Sequence, residues 1–327
     1  MESQITNTSE SEKSKYNSSS LKGIIYASIV LIGNGIHPII NNSRPENLDP
    51  FIFVLMVTIW EFLIVIPFVI IEKKKEGAAG LFKYSNQSNP NKKIFLIKLI
   101  IIGTLFTVAG YFYIEGMKQA GSIPSSIALK SSPLYALIIG GLFTHEKISL
   151  KQILITIIML TGLYYLGTKG TWEIGQFSVW FGILLLVPLL WIISHSITKP
   201  LLENRLVTPL KIIQIRTGIM ISIYLIISFI IFSPVTIISA ISDSSMIIFS
   251  FFMGITYFFM HFSWYNSIKN ISISYASALV TPSPIITAVL ASLLLGEPFE
   301  QYHLIGLIIS LVCLYGLIIT NKSDNKK

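Results

Sequence analysis

The sequence predicts an all-α membrane protein of ten transmembrane helices, arranged as two inverted five-helix halves. Three observations carry this. The chain of 327 residues is 52% hydrophobic and only 12% charged, with a mean hydropathy of +0.70, whereas a soluble domain carries roughly a quarter charged residues. Its apolar residues fall into ten continuous runs of spanning length. Barrel strands would alternate instead, and a helix satisfies its own backbone in lipid. Finally, residues 113–168 align without gaps on 264–319, so the chain repeats itself.

Residues 1–20, MESQITNTSESEKSKYNSSS, are polar and mixed in charge and lack the apolar core of a signal peptide. They are expected to be a disordered tail. The spans follow at about 21–41, 50–71, 94–117, 122–144, 149–168, 175–198, 208–232, 246–268, 273–295 and 301–320, and residues 321–327 form a second solvated tail. The links KQAGS and GEPFEQ are short, which makes the spans they join antiparallel neighbours. The first half is 21–168 and the second 169–320.

Basic residues set the orientation. The side holding the N-terminus has 18 of the 24 Lys and Arg residues, in runs such as Lys73–Lys75 and at Lys199, Arg205 and Lys269. The opposite side has Arg44, Lys118 and Lys169, while Lys98, Lys130 and Arg216 lie within spans. This asymmetry places both termini in the cytoplasm, with the cell membrane as the expected location. It also removes nucleic acid as an explanation of the net charge of +8, because the basic residues sit in short loops between spans.

In the repeat, Lys118 falls on Lys269, Ser126 on Ser277, Ser132 on Ser283, Pro133 on Pro284, Glu146 on Glu297 and Tyr164 on Tyr315. Five spans per half is an odd number, so the second half is inverted. Inverted halves recur in secondary transporters, with the substrate site near the midplane between them.

The stretch GITYFFMHFSWYNSIKNISISYASALVTPSPIITAVLASLLLGEPFEQYHLIGLIISLVCLYGLII resembles the EamA repeat of the drug/metabolite transporter superfamily. The matching features are the aromatic helix ending in Lys, the AS run, the Pro, the LGE and the Gly-dotted last span. A weaker copy, YFYIEGMKQAGSIPSSIALKSSPLYALIIGGLFTHEKIS, has His145–Glu146 in place of Gly-Glu. The resemblance covers about 21–320. It implies two inverted bundles around a cavity reached from alternate sides. It implies no substrate, since the superfamily moves amino acids, drugs, nucleotide sugars and sugar phosphates. Family repeats often carry an Arg seven residues after the Pro that opens the second helix. Arg216 keeps that spacing from Pro209, but Pro50 leads to Val57, and the nearest ionisable group is Glu61.

Lys130 and Glu61 are the leading site candidates, because ionisable groups inside spans cost about 2.5–3.5 kcal/mol or more and face a bundle interior or a wet cavity. Their depths, about 12 and 16 Å from one surface at 1.5 Å per residue, allow three readings. They form a mutual ion pair opened by an anionic substrate, or they clamp a substrate through both its charges, or they are a static pair. Members that move phosphorylated solutes use intramembrane basic residues, which makes an exchanger of such anions the alternative function. Arg216 either attracts anions at the inner mouth or fixes a helix end. Pro133, Pro282 and Pro284 break spans four and nine, either as gates or as passive bends.

Tyr257 and His261 share a helix face and are candidates for the cavity, with Tyr111 on the corresponding span of the first half. Trp264, Tyr265 and Tyr113 read as interface anchors. Asn34 and His37 on span one correspond to Trp191 and His195 on span six. His37 makes protons a candidate coupling ion. Glu146 and Glu297, which open spans five and ten, read as dipole partners.

The single cysteine, Cys313, excludes a disulfide framework. No HExxH, paired Asp or GxxxxGK[ST] pattern is present, so an enzyme, a metal site, a cofactor and an ATP-driven pump are not expected. The predicted protein is a secondary transporter of small polar or charged metabolites. Its partners are the bilayer and its solute, and a homodimer is allowed.

Overall fold

The computed structural model describes residues 2–76, 92–132, 134–135 and 149–324. Helix α1 is Glu2–Ser43, α2 Pro50–Glu76, α3 Lys92–Ala120 and α4 Ser122–Ala128. These are followed by α5 Leu150–Gly167, α6 Val179–Glu203, α7 Pro209–Ile231 and a short α8 Pro234–Ser242. Then come α9 Ser244–Asn270, α10 Ile273–Leu279, α11 Ser283–Leu290 and α12 Gln301–Asp324.

Among the described residues, eight helical stretches are long and apolar enough to cross a membrane. One of them, Tyr275–Leu295, joins α10, α11 and a π-turn at Ala291–Leu295. A shorter apolar stretch, Gln301–Leu317, follows in α12. Span four is described only through α4, a 3₁₀ turn at Leu129–Ser131 and two residues beyond Pro133.

Two helical segments lie outside the predicted spans. The backbone of α1 is helical from Glu2, and no Gly or Pro interrupts it before Gly23. The segment between spans seven and eight is a helix, α8, started by Pro234 and capped by Ser233, whose side chain accepts from Thr236 N. Val235 and Ile238 are exposed on it, as on a helix lying along an interface.

Most helix starts follow from local chemistry. Asp49 accepts from Phe51 N and Ile52 N ahead of α2. Ser149 and Gln152 form a capping box on α5. Ser178, Thr208, Asp243 and Ser272 cap α6, α7, α9 and α10 as simple N-caps, each side chain accepting one backbone N–H.

The helices turn apolar side chains outward, such as Ile226, Ile230, Leu293 and Val312, and bury polar ones, including Thr58, Glu61, Ser194, Arg216 and Thr287. Lipid takes the place of water on the outside, so polar groups gather within. The packing pairs come in matched sets. Helix α1 packs on α9 as α6 packs on α3, and α2 meets α9 as α7 meets α3. The pairs α2·α7 and α5·α12 each join equivalent helices of the two halves.

Close contact depends on small residues. A Cβ on Gly254 of α9 would sit 2.5 Å from the Trp60 Cβ and 3.1 Å from the Val57 carbonyl of α2. Only Gly lets these two helices approach so closely.

Candidate functional site

A cavity of about 150 Å³ lies within the bundle, lined from α1, α2, α3, α4, α6, α7, α9, α10, α11 and α12. Its charged residues among those described are Glu61, Lys130 and Arg216.

Glu61 pairs with Arg216, not Lys130. The Arg216 Nη2 donates to Glu61 Oε1 at 2.6 Å, and both side chains are buried. His261 Nδ1 lies 2.8 Å from the same oxygen, and Arg216 Nη1 donates to the Tyr265 hydroxyl at 3.3 Å. The guanidinium also sits 4.2 Å from the Phe106 ring centroid, a favourable position for a cation. Arg216 is therefore neither at a mouth nor at a helix end. Depth alone could not reveal the pairing, because it says nothing of lateral neighbours. Helix α4 packs on α1, α3, α6, α11 and α12, whereas α2 packs on α3, α7 and α9.

Lys130 has a different partner. It lies in the 3₁₀ turn after α4, and its Nζ donates to the Val280 carbonyl at 3.2 Å. No carboxylate among the described residues lies within ion-pair distance of it. The Val280 carbonyl lacks its α-helical donor for a local reason. Its helical donor would be the N–H of residue 284, and that residue is Pro. The chain turns between α10 and α11 at 280–282, and the Ser283 N–H reaches the same carbonyl at 3.3 Å. The repeat places Leu129 on Val280 and Lys130 on Thr281, so both halves break at the same point. Pro282 lies in the turn and Pro284 in the first turn of α11. Pro133 lies outside the described residues.

Asn34, His37, Trp191, His195, Tyr257 and His261 all line the cavity. The Tyr113 hydroxyl hydrogen-bonds the His37 ring. Tyr111 is absent from the lining and packs between Phe51 and Phe112. One face of α3 carries Tyr113 inward, and Tyr111, two residues away, points elsewhere, as 100° per residue requires. Tyr113 and Trp264, expected as interface anchors, line the cavity instead, and Tyr265 is buried beside Arg216. Phe106, Pro188 and Ser283 also line it and were not singled out from sequence. Ser283 was visible there as the aligned partner of Ser132.

Several buried polar atoms at this cavity have no hydrogen-bond partner among the described residues. They are Trp264 Nε1, Arg216 Nε, Tyr257 OH, Ser283 Oγ and His195 Nδ1. Buried polar groups are normally satisfied, so this cluster beside the cavity is unusual.

Polar contacts tie helices together at the bundle end away from the start of the first span. The Glu297 carboxylate accepts from Ser122 N at 3.1 Å and Ile123 N at 3.3 Å, at the N-terminus of α4. It thus serves a helix of the other half rather than its own. Glu146 lies outside the described residues. Asn42 donates to the Ser122 hydroxyl and the Met117 carbonyl, and Arg44 reaches Glu115 at 3.7 Å. At the opposite end, Lys199 donates to the Ile268 and Ile271 carbonyls, and Ser267 to that of Gly23.

A bundle of lipid-facing helices around a cavity with charged and aromatic walls defines an integral membrane protein with an internal cavity. The chain belongs to the EamA-like transporter family, whose pattern matches residues 21–168 and 180–319. One solved structure, titled only "Crystal structure of protein", aligns with a TM-score of 0.58 at 12% identity, over 93% of this chain and 99% of that one. At that identity it speaks for the fold alone. No curated protein matches the sequence.

Proposed function

We propose that the protein is a secondary transporter that moves small charged or polar metabolites across the membrane by alternating access. Ten helices form two inverted halves, and the solute binds between them. The matched packing pairs and the equivalent breaks after Leu129 and Val280 support this arrangement. The termini are cytoplasmic, in keeping with the distribution of basic residues. The end tied by Glu297 then faces outward.

One observation carries the reading. Among the described residues, the amino group of Lys130 is held by one backbone carbonyl, in a cavity whose one described acid is already paired with Arg216. An anionic solute offers Lys130 a stronger, charge-assisted partner than a neutral carbonyl. On binding, it draws the lysine off Val280 and releases the break between α10 and α11. Solute binding and helix movement are thereby linked through one side chain.

The test is a proteoliposome screen of amino acids, nucleotides and phosphorylated metabolites, followed by Lys130→Ala on the solute that moves. Loss of at least about a hundredfold in rate, with the folded protein recovered at normal yield, is expected for the loss of a buried charged contact worth about 3 kcal/mol. Transport of an anion that survives the substitution refutes the role of the lysine.

A further inference from the structure

We infer that the preferred guest of the central cavity is a monocarboxylate with an apolar body about the size of a phenyl ring, and neither an amino acid nor a phosphate ester; this rests on the transporter reading above. The first argument is charge. Glu61 offsets Arg216, which leaves one cation, Lys130, without a counter-charge among the described lining residues. One cation matches one carboxylate, whereas a phosphate monoester near neutral pH carries close to two charges.

The second argument is the balance of donors and acceptors. Trp264 Nε1 and Arg216 Nε can only donate, and both are buried and unpartnered. The Tyr257 and Ser283 hydroxyls are also free to donate. These atoms are covered by neighbouring side chains, and a guest that displaces that cover would satisfy them with acceptor oxygens. An amino acid also brings an ammonium group, and the one described acid of the lining already serves Arg216 and His261.

The third argument is shape. The remaining wall is apolar, with Phe106, Leu129, Met220, Met260 and Leu314 among its residues. Its volume of about 150 Å³ sets the upper limit, since an apolar protein cavity of about 150 Å³ holds benzene, so the guest's body is no larger than one ring.

The test uses the full chain in lipid nanodiscs and four probes of one body size: 3-phenylpropionate, phenylalanine, 2-phenylethylamine and phenyl phosphate. Their dissociation constants are measured on the wild type, Lys130→Ala and Trp264→Phe. The expected result is that 3-phenylpropionate binds at least tenfold more tightly than each of the others. Lys130→Ala should then abolish that preference. Trp264→Phe, which keeps a ring but loses the donor, should weaken 3-phenylpropionate several-fold more than it weakens the amine. Equal or tighter binding of phenylalanine or phenyl phosphate overturns the inference, as does 3-phenylpropionate binding that ignores Lys130→Ala, or no binding by any probe. If one of the other probes binds best and crosses proteoliposomes, only the substrate class falls. If 3-phenylpropionate binds as expected but neither it nor any screened solute crosses, the transporter reading falls and the binding site stands.

Discussion

Glu61→Gln is the most direct probe of the buried charges. The substitution keeps the size of the side chain and its acceptor oxygen but removes its charge, leaving the Arg216 guanidinium without a counter-charge at a site where neither side chain is more than 1% exposed. Breaking a buried pair from one side costs about 3–5 kcal/mol, because the remaining ion is left desolvated. That is a large share of a total stability of about 5–15 kcal/mol. At the low end of about 2–4 °C per kcal/mol, melting in detergent or nanodiscs should fall by about 6–10 °C. Replacing both partners by Glu61→Gln with Arg216→Met removes the stranded ion and should recover most of the loss, less about 0.5–2 kcal/mol for the contact with Phe106. A double variant that melts no higher than Glu61→Gln refutes the account of Arg216 as an ion held in place by Glu61.

Two further perturbations test the moving parts. Pro284→Ala supplies a helical N–H that competes with Lys130 for the Val280 carbonyl, weakening the resting contact. The apparent affinity for the transported anion should rise about fivefold, the equivalent of one hydrogen bond of about 1 kcal/mol, while turnover falls; steady-state KM and kcat in proteoliposomes separate the two, and unchanged values for both reject the lysine–carbonyl link. Glu297→Ala removes the carboxylate that accepts from Ser122 N and Ile123 N. In a Cys313→Ala, Ser126→Cys background, labelling of residue 126 by an impermeant thiol reagent added outside should speed up about fivefold, from a helix-end charge worth about 1 kcal/mol. Labelling at an unaltered rate removes Glu297 from the closure of that end.

The sequence by itself determined the membrane-helical class, the family and most span limits, because these depend on local properties: apolar length, caps such as Ser149 and Thr208, and the spacing of Ser, Pro and Glu in the repeat. It also picked out Glu61, Lys130 and Arg216, since a charge within an apolar run is conspicuous wherever it points. Only the tertiary structure decided their partners. Depth along a helix can be counted from its ends, but rotation and lateral neighbourhood come from packing. Thus Glu61 meets Arg216 because α2 and α7 pack together. Tyr113 and Trp264 turn inward although their places near helix ends read as interfacial. Lys130 finds a backbone carbonyl because a proline in the other half leaves that carbonyl without its helical donor. Such a contact joins residues 150 positions apart, and no local pattern encodes it.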